Sequence, residues 1–422
     1  MRLTRRRPLW QGIAALLCSM ASAHAADSEL DALALESAPE TPAATSGTKV
    51  SLEAAVGRAR LRGAAGGERE TLSRLSADLV LSRRIDKNWR FVLSDRLDHV
   101  DADSGADTIN SLRELYAGWQ DDAGTWAVEA GRINLRQGPA LGFNPTDFFR
   151  DQTLRVSTTV NPMLVRDYRL GSVMVRMQRL WADGSLALAL SPKLADAPSS
   201  RGFSADLGST NHRDRALLSL GTRWSARSST LLHVLADSSS RWQLGASGSS
   251  LLGDAVVAYG EATTGREPRL LDRAIGRTEN VSGTRAVGGL TYTTPFKLSI
   301  SAELGYNSLA LSRSQWDAIA TSQPALLGAY LYTADRLQDQ AARRSVLVYA
   351  KQTDAFTRGL DLTALTRVNT ADRSRMVWLE ARYRFPQVDV ALQWLRYSGK
   401  ARSEFATTPY KDSVQALATV YF

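Results

Sequence analysis

The chain has 422 residues, 44% hydrophobic and 23% charged, with 30 Gly and 13 Pro; that is ample for a folded core and too apolar for a disordered chain. Of its formal charge of +9, Arg2, Arg5, Arg6 and Arg7 lie in a removable leader, and the excess of five that remains is too mild to point to nucleic acid. The single cysteine, Cys18, falls in the same leader, which excludes a disulfide scaffold, a thiolate zinc site and a cysteine nucleophile from the mature chain.

At the start, Arg5, Arg6 and Arg7 form a basic region, Gly12 to Ala23 an apolar stretch, and Ala23-His24-Ala25 a small-x-small cleavage site. The apolar stretch is shorter than the ~20 residues an anchor helix needs. Residues 1–25 are therefore expected to be a signal peptide. Residues 26–48, rich in Ala, Ser, Thr, Pro and acids, are expected to be a flexible periplasmic lead-in.

From Lys49 onward short segments alternate apolar and polar residues, the period of a strand whose two faces meet different environments. One apolar row is Val50, Leu52, Ala54 and Val56; others are Leu75 to Leu81, Leu298 to Tyr306 and Val377 to Phe385, each taken at every second position. The alternation fits a soluble sandwich as well as a membrane barrel. The connections separate them. Eighteen strand candidates fall near 49–60, 71–81, 89–100, 110–120, 125–133, 170–180, 185–191, 214–225, 228–237, 242–249, 252–262, 284–294, 297–307, 344–353, 359–368, 375–385, 388–398 and 413–422. Every long connection (134–169, 192–213, 263–283, 308–343 and 399–412) follows an odd-numbered strand, and the even-to-odd turns are short. Long loops on one rim and tight turns on the other is the layout of a bacterial outer-membrane barrel. The expected fold is a closed antiparallel transmembrane β-barrel over 49–422, of about eighteen strands with sixteen as the alternative count. Closure is required because hydrocarbon offers no partner for a free strand edge. The uncharged run 318–334 is expected to be an apolar outer loop.

The final segment places Val414, Ala416, Ala418, Val420 and Phe422 on one face and ends on an aromatic. It resembles the C-terminal strand of outer-membrane proteins that the barrel-assembly machinery recognises, with Phe422 as the assembly signal. Trp89, Trp119, Trp126, Tyr259, Tyr292, Tyr306, Tyr383 and Trp394 are candidates for the interfacial girdles, with a lumen-facing position as the alternative for some of them. The stretch from Gly131 to Gly138, with Asn144 to Asp147, resembles the strand-end segment of bacterial porins, in particular the alginate-export type of eighteen-stranded barrel. That resemblance implies a channel in a Gram-negative outer membrane for passive diffusion or export of hydrophilic solutes, with polysaccharide export in view.

A barrel of this size encloses water, because side chains do not fill it. Its wall is expected to present Arg90, Arg96, Glu114, Glu129, Arg176, Arg223, Arg285, Glu303, Lys351, Arg367, Glu380, Arg382 and Arg384. Rings of charge select by sign; this mixture leans basic and favours anionic or saccharide solutes, while pairing of the charges with one another is the simpler role for any one residue. Loop 134–169 carries Arg136, Asp147, Arg150, Arg155 and Arg166 and is stiffened by Pro139, Pro145 and Pro162. It fits a constriction folded into the lumen, and equally an outward loop whose arginines bridge lipopolysaccharide phosphates.

Enzyme chemistry is not expected. His99 beside Asp95 and Asp98 offers a carboxylate–imidazole pair that activates water in a hydrolase, but charged residues at a strand end are usually only solvated. Asp101, Asp103 and Asp107 outline a weak Ca²⁺ loop, lacking the bidentate Glu of an EF-hand; no fixed cofactor or metal is implied. The reading is a passive channel whose partners are lipid, lipopolysaccharide, the assembly machinery and small solutes, with no nucleic acid. A barrel hydrolase around His99 and an adhesion or scaffold barrel acting through its long loops are the alternatives.

Overall fold

The computed structural model describes residues 47–63, 68–103, 105–239 and 242–422. The signal peptide, and the lead-in apart from Gly47 and Thr48, lie outside the described residues. The described residues form eighteen strands. The first six are β1 (Gly47–Leu61), β2 (Arg69–Arg84), β3 (Trp89–Ala102), β4 (Gly105–Gln120), β5 (Trp126–Ile133) and β6 (Ser172–Trp181). Next come β7 (Gly184–Ser191), β8 (Arg215–Ser225), β9 (Ser228–Asp237), β10 (Trp242–Leu251), β11 (Val256–Glu267) and β12 (Val281–Thr293). The last six are β13 (Leu298–Asn307), β14 (Arg344–Gln352), β15 (Leu360–Asn369), β16 (Arg375–Arg384), β17 (Val388–Ser398) and β18 (Tyr410–Tyr421).

Each strand pairs antiparallel with its sequence neighbours. The ring closes where β1 meets β18, from Ser51 opposite Tyr421 to Leu61 opposite Tyr410. Among the described residues no strand edge is left over, so every strand finds its ladder partners within the sheet. Alternation then sorts the side chains. On β13, Ile300, Leu304 and Tyr306 lie on the exposed outer face while Ser301 and Glu303 are buried inside. The apolar face is therefore the outer one, opposite to a sandwich. Among the described residues no helix is long and apolar enough to cross a membrane.

The longer rim loops fold back over and into the ring. They carry five helices: α1 (Pro162–Asp167), α2 (Leu207–Thr210), α3 (Leu270–Ala274), α4 (Arg313–Ser322) and α5 (Pro324–Arg336). The stretch 318–334 lies in the rim loop between β13 and β14 and is mostly helical there. Ser312 caps α4 through a reciprocal capping box with Gln315, and Pro324 opens α5. Trp316, Leu327, Tyr330 and Ala334 turn one face inward onto Leu270, Leu311 and Ala342; that buried stripe is what makes the run apolar. Tyr259 is one of the aromatics that face the lumen: its hydroxyl donates to Glu303 Oε1 at 2.9 Å inside the barrel, so it is not part of an outer girdle.

Strand β9 reads as apolar on both faces, and the structure shows why. Leu232 and Val234 face outward, while Leu235 faces inward and packs with Leu217 and Met174 against Phe148 and Phe149 of the loop after β5. A wall covered by an apolar loop loses the alternation that a wetted wall keeps.

Candidate pore and its inward loop

The segment between β5 and β6 leaves the wall and crosses the lumen. Arg132 secures its root, donating to Gly171 O (2.9 Å), Leu112 O (3.1 Å) and Thr210 Oγ1 (3.2 Å). Gly138 follows in the left-handed region at φ +80°, where a Cβ would meet Glu261 Oε2 at 2.3 Å.

Two inward carboxylates then hold the crossing. Glu261 on β11 accepts from Ala140 N (3.0 Å), Thr146 N (2.9 Å), Thr146 Oγ1 (2.6 Å) and Asn144 Nδ2 (3.3 Å). Glu303 on β13 accepts from Leu141 N and from Gly142 N at 2.9 Å. Loop N–H groups have no ladder to join, and a carboxylate is the strongest acceptor the wall offers them.

Further on, Arg213 Nη2 donates to Asp151 at 2.8 Å and Arg215 Nη1 at 3.2 Å. Burial alone raises the Asp151 carboxyl, but Arg213, Arg215 and His212 reverse that and hold it well below the usual range. Thr158 O then accepts from Arg74 Nη1 on β2 at 2.9 Å. On the return, Tyr168 lies under the Arg96 guanidinium, 4.3 Å from ring centroid to Cζ. The segment thus touches β2, β3, β8, β11 and β13 from within.

Its expected charged residues mostly stabilise the loop itself. Asp147 pairs with Arg169 at 2.6 Å. Arg150 donates to Asn144 O (2.9 Å) and Asp147 O (3.0 Å), and Arg166 to Gly138 O (3.1 Å) and Gln137 O (3.2 Å). Burial pushes the Arg166 guanidinium down, opposed by Asp147. Arg155 reaches the neighbouring rim loop through Gly202 O at 3.1 Å. Arg136, paired with Asp167, borders open space.

The expected wall residues all fall on the inner face, and most are brought together in pairs. Arg90 and Arg176 both hold Glu129 at 3.2 Å. Arg96 contacts Asp98 at 3.0 Å, Glu53 at 3.3 Å and Asp78 at 3.4 Å. Arg382 contacts Glu380 at 3.0 Å and Asp389 at 3.6 Å. Asp361 gathers Arg384 (3.0 Å) and Lys351 (3.8 Å), and Arg285 contacts Asp339 at 3.0 Å as well as Glu267. Glu114 accepts from Asn134 N at 3.4 Å, Arg367 lies beside Glu303 in a small cavity, and Arg223 lines space near the tight turns. The sequence reading named both partners at Glu129 and Glu380 and placed Asp78 inward, but it did not place Glu53, Asp98 or Asp361 on the wall, although these sit at the same inward parity.

The His99 cluster does not converge. Asp98 faces the lumen and takes Ser76 Oγ at 2.6 Å, while His99, its chain neighbour, faces the other way and meets Thr108 Oγ1 at 2.8 Å. Asp101 and Asp107 sit on facing strands of one hairpin, and among the described residues no group of three His, Cys, Asp or Glu has metal-holding geometry.

The loop leaves space on two sides. One chamber, about 280 Å³ and partly open to solvent, lies between residues 156–160 and the wall from β16 through β18 to β3. Another, about 90 Å³, lies beneath residues 135–138 along β6 to β9, near the tight turns.

Searched against protein-family models and curated proteins, the sequence matches none. Solved structures do match in fold. Acinetobacter baumannii OccAB1 aligns with a TM-score of 0.55 at 10% identity, over 89% of this chain and 96% of its own. Pseudomonas aeruginosa OccK2 (OpdF), solved with glucuronate, gives 0.53 at 11% identity, over 89% and 98%. The P. aeruginosa outer membrane protein opdK gives 0.52 at 9%, over 89% and 99%. The chain has a bacterial porin fold. At these identities the likeness is one of architecture.

Proposed function

We propose that this chain is an outer-membrane channel of a Gram-negative bacterium, passing small hydrophilic solutes down their gradients. The observation that carries this reading is the sorting of one closed sheet. Its outer face is apolar, its inner face holds paired charges, and a loop anchored by Glu261 and Glu303 narrows the space between. An apolar exterior suits lipid and a charged, solvated interior suits water. A signal peptide at 1–25 and recognition of the Phe422 strand by the assembly machinery accord with that location, as do lipid and lipopolysaccharide as its surroundings.

In this reading the loop 134–169, with Arg136, Asp147, Arg150, Arg155 and Arg166, acts as the constriction. Bulk polysaccharide export of the alginate type fits poorly with a lumen crossed in this way; a solute about the size of one sugar ring fits the larger remaining chamber. The carboxylated sugar bound by OccK2 is of that size. Reconstitution tests the reading. Proteoliposomes carrying the full chain are expected to swell in iso-osmotic monosaccharide at a rate well above empty liposomes. Swelling no faster than protein-free controls contradicts it.

A further inference from the structure

The larger chamber is nearly free of charge. Among the described residues Arg74 is the one formally charged side chain on its lining. The remainder combines amides and hydroxyls, Gln393, Gln415 and Ser413 among them, with apolar surface from Leu72 and Leu395.

Arg74 is already committed. Its Nη2 is held by Glu53, a half-buried carboxylate on β1 that also takes Arg96 Nη2 at 3.3 Å, and its Nη1 donates to Thr158 O at 2.9 Å. Nearby, Arg96 and Arg113 meet Asp78 and Asp98 in the same way. Three guanidiniums thus face three carboxylates. A guanidinium holding a carboxylate attracts a second anion weakly, because the two fields largely cancel at the distance of a solute. What the chamber offers instead is neutral hydrogen bonding beside an apolar face, which suits a ring with hydroxyls at its edge and C–H groups on its faces.

Building on the channel reading above, we propose that this chamber takes uncharged polyhydroxylated solutes, and that Glu53 sets the preference by masking Arg74. Glu53 determines specificity without lining the chamber itself.

Glucose and glucuronate, matched but for one charge, are the probes. The wild-type chain in liposomes is expected to admit glucose faster than glucuronate. Glu53→Gln keeps the shape and frees the guanidinium; it is expected to raise the glucuronate rate about fourfold, from one unmasked charge a few ångström from the path, with glucose unchanged within about twofold. In a KCl gradient across a planar bilayer its reversal potential moves toward chloride, and that of Arg74→Gln moves toward potassium. Assembly of each variant is checked by its gel shift on heating. If Glu53→Gln does not assemble, Arg74→Gln decides alone, and an unmoved reversal potential overturns the proposal. So does a wild type that favours glucuronate, or an assembled Glu53→Gln that changes neither readout. If neither sugar enters the wild type, the channel reading fails and this proposal with it; normal glucose entry with the wrong charge response overturns the proposal alone.

Discussion

Glu261 is the residue on which most of the inward loop's geometry converges. A carboxylate accepting from two backbone N–H groups, a hydroxyl and an amide is a charge-assisted clamp. Glutamine in its place loses the charge and turns an N–H₂ toward donors that need an acceptor. Glu261→Gln is expected to weaken the loop's attachment by about 2–4 kcal/mol. Single-channel recordings check this as larger and more frequent current fluctuations at unchanged barrel stability; recordings as quiet as wild type contradict it. The sequence shows Glu261 only as an inward acid on a strand, like many others. What distinguishes it is the turn at Gly138 brought over it from more than a hundred residues away, a pairing no local pattern encodes.

Among the elements, the strands were legible and the loops less so. Period-two alternation marks a strand because each face meets one environment, and all eighteen candidates correspond to observed strands. Their ends shifted where hairpin pairing runs past the alternation: β4 begins at Gly105, inside a stretch read as an acidic loop. Helices α4 and α5 escaped notice because only a few apolar positions on each are buried, in a run rich in hydroxyls and interrupted by Pro324.

The crossing loop and the 192–214 connection meet at Asp151, Arg213 and His212, and that junction is sensitive to pH. His212 Nε2 lies 3.6 Å from Asp151. Burial pushes its imidazole below the usual value, against the pull of Asp151. The folded state therefore resists a proton that the unfolded chain takes up near pH 6.5, and this junction loses stability as pH falls through that value. Asp151 behaves in the opposite sense: with its carboxyl depressed in the folded state, its contribution is full above the unfolded value near 4 and is lost progressively as pH falls below that value. Amide protection across residues 147–153, measured against the intrinsic rate at each pH, is expected to fall between pH 7 and pH 5. His212→Asn is expected to flatten that dependence; an unchanged slope contradicts the assignment.

For the whole molecule, the two faces of the sheet predict opposite tolerances. Leu304 lies on the outer face and is 67% exposed, and an arginine there would have to sit in hydrocarbon. Leu304→Arg is expected to cost about 2–4 kcal/mol of folding stability in lipid, read from urea titration of the reconstituted barrel. A cost near zero would mean that this face does not meet lipid. Wall charge was legible as composition and parity, but its pairing was not, and pairing decides what the wall does: an apparent basic lean becomes a set of nearly neutral ion pairs once Glu53, Asp78, Asp98 and Asp361 are in place.

The account stands most directly on the current through one barrel before and after its lumen is cleared. In planar bilayers the wild-type chain is expected to give discrete openings, and a chain lacking residues 140–165, with its ends rejoined by a short glycine–serine link, is expected to open to a conductance at least about twice as large, as a wider water column requires. An assembled deletion that conducts as the wild type does, or a wild type that carries no current, contradicts it.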